Sequence, residues 1–341
     1  MRSDNITGIS DKVLEAIMRA NDGKALAYSE DELSNRSKEK FREIFEKEDI
    51  ISHNLVSGTA TNTLILSTLC PTYGVTFCHE HSHVYADECG GFEFQTGGAK
   101  LHPICGQNGK LTPAALEGAI GRYIVDEPHH NQPAAVTIAN STEAGTIYMP
   151  DEIEALSRVI KKHKLKLHMD GARFANALDN VGCSPAELTW KVGVDALSFG
   201  TTKNGTMGAE AAIFFNQSDD QGFVYRSMRS GHLISKSRFI AAQILAYFEN
   251  DHWLNNAKHA NKMALKLARA IEKSEAIEFK YPQQSNVMFV KMKPELHDEF
   301  ESAGIEYFSS CESSYVEARM VTAFNTTNSD MDRIIEIIEK F

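Results

Sequence analysis

Short apolar runs alternate with segments of helical period over the first two thirds of the chain. Apolar residues recur three and four positions apart in residues 11–21 and 151–164, and the charged segment 29–47 repeats that spacing, which predicts three helices. Apolar runs of strand length, each followed by a turn, occur at 51–56, 75–79, 134–139 and 165–170. This alternation predicts an α/β domain with a mostly parallel sheet covered by helices.

The pattern changes near Tyr225. Segments rich in Ala, Leu, Lys and Arg come next, and the apolar strands and closing helix that follow lie at 286–292, 317–324 and 331–340. This arrangement predicts a smaller α+β domain at the C-terminal end. We place the large domain in residues 1–235 and the small domain in residues 236–341.

The composition limits the classes of partner and compartment. The 35 Lys and Arg residues against 46 Asp and Glu give a net charge of −11, which argues against nucleic acid or an anionic membrane surface as partner. The six cysteines form no CxxC pair and no zinc-ribbon spacing, so we expect reduced thiols. No signal-peptide pattern and no apolar run of membrane-spanning length occurs, and we expect a soluble cytoplasmic protein.

Two chemically suggestive side chains follow neighbouring strands. Asp170 ends the first strand, in LHMDGARFANAL, and Lys203 follows the next one, in DALSFGTTKNGTMGAE. Ligands of such sheets bind beyond the carboxyl ends of the strands, so both residues are expected on the binding side. A lysine and a carboxylate are the two protein groups that pyridoxal phosphate (PLP) requires. The plainer alternatives are an ordinary surface lysine and an aspartate that caps a helix.

A small-residue turn, Ser57-Gly58-Thr59, lies between a predicted strand and a predicted helix. The free N–H groups of such a turn and the helix dipole suit a phosphate group. The turn is not a Walker loop, because the GKS/T ending is missing. By itself the pattern also fits a simple helix start, and the phosphate interpretation depends on support from elsewhere in the chain.

The segment after the second predicted strand is rich in histidine. His79, His81 and His83 alternate, and an extended chain would place all three on one face. Three interpretations are open: a metal site, hydrogen-bonded structural histidines, and one imidazole lying flat against an aromatic cofactor. A metal site is disfavoured, because no clear fourth ligand follows.

Taken together, HMDGARFANA and SFGTTKNG resemble motifs of the low-specificity L-threonine aldolases, which are PLP enzymes of fold type I. The similarity extends from SDNITGISDKVLEAI near the N-terminus to EARMVTAFNT near the C-terminus. The SFGTTKNG form resembles one bacterial branch, which also includes phenylserine aldolases. The resemblance implies a PLP-dependent transferase-like fold, with a large mixed-sheet domain and a smaller C-terminal domain.

The resemblance implies a set of cofactor-binding roles. Lys203 would carry PLP covalently, and Asp170 would pair with the pyridinium nitrogen. His83 would stack on the cofactor ring, and Arg173 would lie near the cofactor and the substrate carboxylate. The phosphate group would be held by Ser57, Gly58 and Thr59.

Further roles concern the substrate. Arg319, in ARMVT, matches the arginine that clamps the substrate carboxylate, and Ser3 would lie nearby. His130 matches a histidine proposed to take part in acid–base chemistry. Either His83 or His130 would then remove the proton of the substrate β-hydroxyl group.

The resemblance also implies a homotetramer built from dimers with shared active sites. In the family a basic segment after the lysine reaches the phosphate of a neighbouring subunit. Here that segment departs from the family pattern, and the choice between Arg226, Arg229 and Lys236 stays open.

The implied reaction is retro-aldol cleavage of L-threonine, L-allo-threonine or a related β-hydroxy-α-amino acid to glycine and an aldehyde. The aldehyde, small as from threonine or aromatic as from phenylserine, is not fixed by the sequence. Another PLP reaction, such as β-elimination, racemisation or transamination, keeps Lys203 and Asp170 and is the main alternative. A PLP-binding protein with little catalysis and a histidine-rich metal-binding protein are the remaining ones.

Overall fold

The computed structural model describes residues 1–312 and 314–341. The helices are α1 Asp11–Ala20, α2 Glu32–Ile44, α3 Gly58–Leu69, α4 His83–Ala86, α5 Gly91–Thr96, α6 Pro113–Ile120, α7 Pro150–Lys162, α8 Phe174–Val181, α9 Phe223–Arg229, α10 Arg238–Phe248, α11 His252–Ile271, α12 Pro294–Ser302 and α13 Asn328–Ile338. The strands are β1 Ile51–Leu55, β2 Gly74–His79, β3 Lys100–Ile104, β4 Gln132–Ala139, β5 Lys166–Gly171, β6 Ala196–Gly200, β7 Glu210–Phe214, β8 Ile277–Phe279, β9 Val287–Met292, β10 Phe308–Cys311 and β11 Val316–Val321.

The larger sheet has seven strands in the order β1-β7-β6-β5-β4-β2-β3. Strands β2 to β6 pair in parallel, whereas β7 is antiparallel to both β1 and β6. The prediction of a mixed, mostly parallel sheet covered by helices is therefore confirmed. The parallel strands direct their carboxyl ends to one edge, which brings the ends of β4, β5 and β6 together.

The central strands are buried because helices cover both faces of the sheet. On one face Leu64 and Ile65 of α3 pack against Phe214 of β7. On the other face the ring of Phe199 packs edge-on against that of Phe45, with ring centroids 6.0 Å apart. Burying an apolar side chain of this size contributes about 1.5–3 kcal/mol, which explains why apolar runs form these strands.

A four-stranded antiparallel sheet, in the order β10-β11-β9-β8, forms the smaller layer with α12 and α13. The predicted division at residue 235 stays a prediction. Helix α10 buries Ile240 and Ile244 in the same hydrophobic cluster as the large sheet. Helix α11 contacts both hydrophobic cores. Ala257 packs in the core of the large sheet, and Met263 packs in the core of the small sheet.

Several local features differ from the sequence expectations for physical reasons. Strand β2 ends at His79 and helix α4 begins at His83, so the alternating histidines do not share one face. Strand β3 was not predicted, because its segment contains Pro103, which is tolerated at the edge of the sheet where β3 lies. Of the helices described, none is long and apolar enough to cross a membrane.

Candidate active site

A cavity of about 320 Å³ lies beyond the carboxyl ends of β4, β5 and β6. The starts of α3 and α4, the loop after β4 and the short turn after β6 form its walls. Seven of the residues selected from the sequence line it together, namely Ser57, Gly58, Thr59, His83, Asp170, Arg173 and Lys203. The fold therefore brings the predicted cofactor-binding groups into one place.

Two hydrogen bonds orient the carboxylate of Asp170. Its Oδ2 accepts from the side-chain amide of Asn62 at 2.8 Å, and its Oδ1 accepts from the backbone N–H of Ala172 at 2.9 Å. Asn62 lies on α3, so it ties that helix to the end of β5. The carboxylate is thus held in a fixed orientation towards the cavity, as a partner of a pyridinium nitrogen must be.

The ring of His83 is oriented by a buried carboxylate. Its Nδ1 lies 2.8 Å from Oε1 of Glu88, and that same oxygen accepts from Asn62 at 2.9 Å. The hydrogen bond to Glu88 raises the pKa of the His83 imidazole, and the negative charge of Asp170 acts in the same direction. The ring therefore keeps its proton to a higher pH than a free histidine does.

Lys203 lies in a short 3-10 turn, Thr202–Asn204, directly after β6. Burial lowers the pKa of its ammonium group, and the positive charge of Arg173 lowers it further. Both effects enlarge the fraction of neutral amine, which is the form that attacks a carbonyl carbon. Glu210 of β7 fixes this turn by accepting from the backbone N–H groups of Thr201 at 3.1 Å and Thr202 at 3.4 Å.

The start of α3 offers free groups for a phosphate. The side chain of Ser57 makes no capping hydrogen bond, and a Cβ atom at Gly58 would meet nothing within 4 Å. Thr202 lines the same cavity, and its hydroxyl is buried without a hydrogen-bond partner among the described residues. A helix N-terminus and an unpartnered hydroxyl in one cavity match the needs of a bound phosphate, so the residues present fit PLP.

Arg173 is already paired inside the protein. Its Nε and Nη2 donate to the two carboxylate oxygens of Asp4 at 2.7 and 2.9 Å, and Asn286 donates to Asp4 at 3.1 Å. Burial alone would raise the pKa of Asp4, but the charge and hydrogen bonds of Arg173 outweigh it and the pKa is lowered. The sequence patterns did not indicate this ion pair. Two of the nitrogens that Arg173 could offer to a substrate carboxylate are therefore already bonded to Asp4.

Arg319 and Ser3 lie beside the cavity and do not line it. The Nε of Arg319 is buried without a partner in the described part of the chain, and its guanidinium lies 4.6 Å from the ring centroid of Phe308. Burial lowers the pKa of Arg319, and the charge of Arg173 adds to the effect. The hydroxyl of Ser3 accepts from the backbone N–H of Asn5 at 3.1 Å, and Asn5 lines the cavity.

His130 does not reach this cavity in its own chain. Its Nδ1 accepts from the backbone N–H of Ile124 at 2.9 Å, in the turn before β4. The cavity lies at the opposite end of this eight-residue strand, at Ala139. At about 3.3 Å per residue such a strand spans roughly 23 Å, so the acid–base role of His130 stays a prediction.

The basic segment also lies outside the walls of the cavity. Arg226 and Arg229 are on α9, and Lys236 lies in the loop before α10. Arg229 and Lys236 are exposed to solvent, and Arg226 is half-buried. The choice between them as partners of a neighbouring phosphate stays open.

The histidines near the cavity are held by protein atoms. His79 Nε2 lies 2.9 Å from the carbonyl oxygen of Gly106, and its Nδ1 accepts from the backbone N–H of His81 at 3.1 Å. Within residues 1–312 and 314–341, no group of three or more His, Cys, Asp or Glu side chains has the geometry to hold a metal ion.

Sequence reasoning missed several residues of this site. Asn62 and Glu88 orient predicted residues, and the cavity is lined by Asn62, Glu143, Thr202 and Glu210. Thr202 directly precedes Lys203, and its position next to the lysine could have identified it. Glu143 and Glu210 carry no local sequence signal, because only the folded sheet brings their side chains to the cavity.

Comparisons with known proteins agree with this geometry. The family model of beta-eliminating lyases matches residues 1–294. The low-specificity L-threonine aldolase of a Pseudomonas species is 40% identical over 308 residues, covering 90% of this chain and 88% of that protein. The enzyme of the same name from Pseudomonas aeruginosa is 38% identical over 336 residues, covering 98% and 94%. The solved structure of a Leishmania major threonine aldolase has a TM-score of 0.93 and 25% identity, and the match covers 99% of this chain and 98% of that one. The chain belongs to the beta-eliminating lyase family and, among its members, to the low-specificity L-threonine aldolases.

Proposed function

We propose that the protein cleaves L-threonine, L-allo-threonine or a related β-hydroxy-α-amino acid to glycine and an aldehyde, with PLP covalently bound to Lys203. The observation that carries the proposal is the meeting of Lys203 and Asp170 in one cavity at the carboxyl ends of β5 and β6. Relatives named low-specificity L-threonine aldolases support the substrate class. Bound PLP would supply an electron-accepting ring that stabilises negative charge on the amino-acid Cα.

The residues of the cavity have distinct tasks in holding the cofactor. Ser57, through its free side chain and the helix start that follows it, and Thr202, through its unpartnered hydroxyl, would bind the phosphate. Asp170 would keep the ring nitrogen protonated, because an anchored carboxylate favours a neighbouring positive charge. His83, fixed by Glu88, would lie against the ring.

Substrate orientation follows from the guanidinium group of Arg319, whose Nη2 donates to the carbonyl oxygen of Arg2 at 3.4 Å while its Nε has no partner among the described residues. The buried Nε of Arg319 needs an acceptor, and a guanidinium binds a carboxylate through two parallel hydrogen bonds, which an ammonium group cannot do. Holding the carboxylate fixes which bond to Cα is placed to break. Arg173, whose Nε and Nη2 are occupied by Asp4, would contribute mainly positive charge. The reaction also needs a group that removes the β-hydroxyl proton, for which the resemblance offers His83 and His130.

We also propose that the protein forms homo-oligomers, with a homotetramer built from two dimers as the expected state. Helix α9 exposes Tyr225 and Met228 at 75% and 59% of their surface, next to the basic side chain of Arg229. Large exposed apolar side chains that lie together mark interaction surfaces. Light scattering after size-exclusion chromatography measures the mass, and the Tyr225→Asp variant is expected to dissociate. A monomeric wild-type protein would contradict the proposal.

The compartment is a separate prediction. The six cysteines, all in the described part of the chain, are free thiols. Free thiols in this number are typical of a reducing compartment, and a cytoplasmic location is expected on that ground.

The direct test is aldehyde release by the PLP-loaded protein from L-threonine, L-allo-threonine and L-phenylserine, with D-threonine as stereochemical control. Lys203→Ala is expected to abolish turnover, while Lys191→Ala, a surface lysine paired with Glu46, is expected to keep it. The family description also names β-elimination, so ammonia and pyruvate release from serine is measured in parallel. Pyruvate without aldehyde would assign the elimination reaction instead.

A further inference from the structure

Glu143 forms part of the cavity wall, and only one of its two carboxyl oxygens accepts a hydrogen bond from another described residue. It lies in the loop between β4 and α7, and its Oε1 accepts from the backbone N–H of His83 at 2.7 Å. No residue of the described chain other than His83 and Glu143 itself donates to this carboxyl group. Glu143 is half-buried and lines the cavity, and its second oxygen has no hydrogen-bond partner among the other described residues.

Two other carboxylates of the site each accept two hydrogen bonds from the protein. Asp170 accepts two hydrogen bonds, from Asn62 and from the backbone of Ala172. Glu210 accepts from two consecutive backbone N–H groups beside Lys203. Apart from the amine of Lys203, two described groups of the cavity have a free position for a proton in transit, namely Nε2 of His83 and Oε2 of Glu143.

The charges around these two groups favour different tasks. Burial raises the pKa of Glu143 to about 7, and the negative charge of Asp170 adds to the effect. A proton acceptor works best when its pKa lies near the working pH. The pKa of His83 is raised by Glu88, so its ring tends to hold a proton rather than accept one. The titratable or charged groups that face Glu143 from the surrounding elements are Cys78, His83, Tyr148, Asp170 and Arg173.

We propose that Glu143, rather than His83 or His130, accepts the proton of the substrate β-hydroxyl group, an assignment that rests on the proposed aldolase function. The O–H proton moves to the carboxylate, the Cα–Cβ bond breaks, and the oxygen becomes the aldehyde carbonyl. The electron pair of the broken bond stays with Cα, which is later protonated to give glycine. The number of protons and electrons is thereby conserved.

The Glu143→Gln variant separates this role from a structural one. The amide oxygen still accepts from the N–H of His83, but the side chain no longer takes up a proton. Two reactions of the PLP-loaded protein are compared: aldehyde release from L-threonine, and exchange of the glycine Cα hydrogen for deuterium. The exchange needs the same cofactor, amino-acid binding and proton transfer at Cα, but it involves no hydroxyl group.

We expect aldehyde release by Glu143→Gln to fall by about 10²-fold or more, the usual loss when a proton-transfer group is removed. Glycine exchange, the PLP absorption band and the PLP dissociation constant are expected to stay at the wild-type values. Glu143→Asp, which keeps a carboxyl group, should recover part of the aldehyde release. Glu154→Gln, an exposed glutamate on α7, is the matched control and should behave as wild type.

Three results would overturn the assignment. They are normal aldehyde release by Glu143→Gln, an equal loss of aldehyde release and glycine exchange, and a loss of PLP binding that accounts for the inactivity. Failure of the aldolase function itself is distinguishable, because the wild-type protein would then release no aldehyde while it still exchanges the glycine hydrogen.

Discussion

The ion pair between Asp4 and Arg173 is the contact that ties the N-terminal segment to the cavity. It joins residues 169 positions apart through two N–H···O hydrogen bonds of 2.7 and 2.9 Å, and the Asp4 side chain is 1% exposed. We predict that Asp4→Asn strongly destabilises the protein, because it leaves the guanidinium charge of Arg173 buried without a carboxylate.

The magnitude follows from the burial of the pair. Removing one partner of a buried ion pair costs about 3–5 kcal/mol, whereas an exposed pair contributes about 0–1 kcal/mol. The pKa of Asp4 is lowered from its ordinary value of 3.8, so the native protein favours the charged form. Its contribution is therefore fully present above that value and is lost as the pH falls through the lower pKa of the folded state.

Urea unfolding of the PLP-free protein at pH 7, followed by tryptophan fluorescence, measures the effect. Asp22→Asn, at an exposed position, serves as the matched control and should change the unfolding free energy little. Replacing Arg173 by Gln in addition to Asp4→Asn should recover part of the loss, because no buried charge then remains unpaired. An Asp4→Asn protein within about 1 kcal/mol of wild type would refute the reasoning.

Two further predictions concern the cofactor cavity. Thr202→Val removes the unpartnered hydroxyl and should weaken PLP binding about tenfold, as measured by equilibrium dialysis. Thr72→Val, at an exposed position, is the control. An unchanged dissociation constant for Thr202→Val would count against a phosphate at this hydroxyl. Burial raises the pKa of Glu210 from 4.5 to about 7, so this residue alone should lower the stability of the PLP-free protein by on the order of 3 kcal/mol as the pH rises across that interval. Glu210→Gln should lack this part of the loss in urea titrations at pH 5 and 7.5, while the part due to Glu143 remains. An identical pH dependence in both proteins would contradict the assignment.

The central part of the site was predictable because strand and motif coincide. Asp170 lies near the carboxyl end of β5 and Lys203 follows β6, both largely buried strands, and parallel strands bring their carboxyl ends to one edge. The phosphate-binding start of α3 was recognisable as a strand, a small-residue turn and a helix. These signals are local in sequence, so the periodicity of the chain and the topology of parallel sheets were enough to place them.

The parts that escaped prediction depend on contacts between distant segments. Asp4 meets Arg173 across most of the large domain, and Glu143 meets His83 from another loop. No hydrophobic period marks either pairing. His130 shows the converse difficulty: it precedes β4, and only the direction of that strand shows that it lies at the end opposite the cavity.

The roles of the acidic residues follow from the number of donors each receives, not from residue type. Asp170 has two donors and is fixed, so it suits a permanent charge partner of the cofactor ring. Glu210 also receives two N–H groups, which makes it a support for the turn that carries Lys203. Glu143 receives one, and its free oxygen faces the cavity. A carboxyl group that is anchored at one oxygen and free at the other keeps its position while its proton comes and goes, which is the property that cleavage of a β-hydroxy-α-amino acid demands.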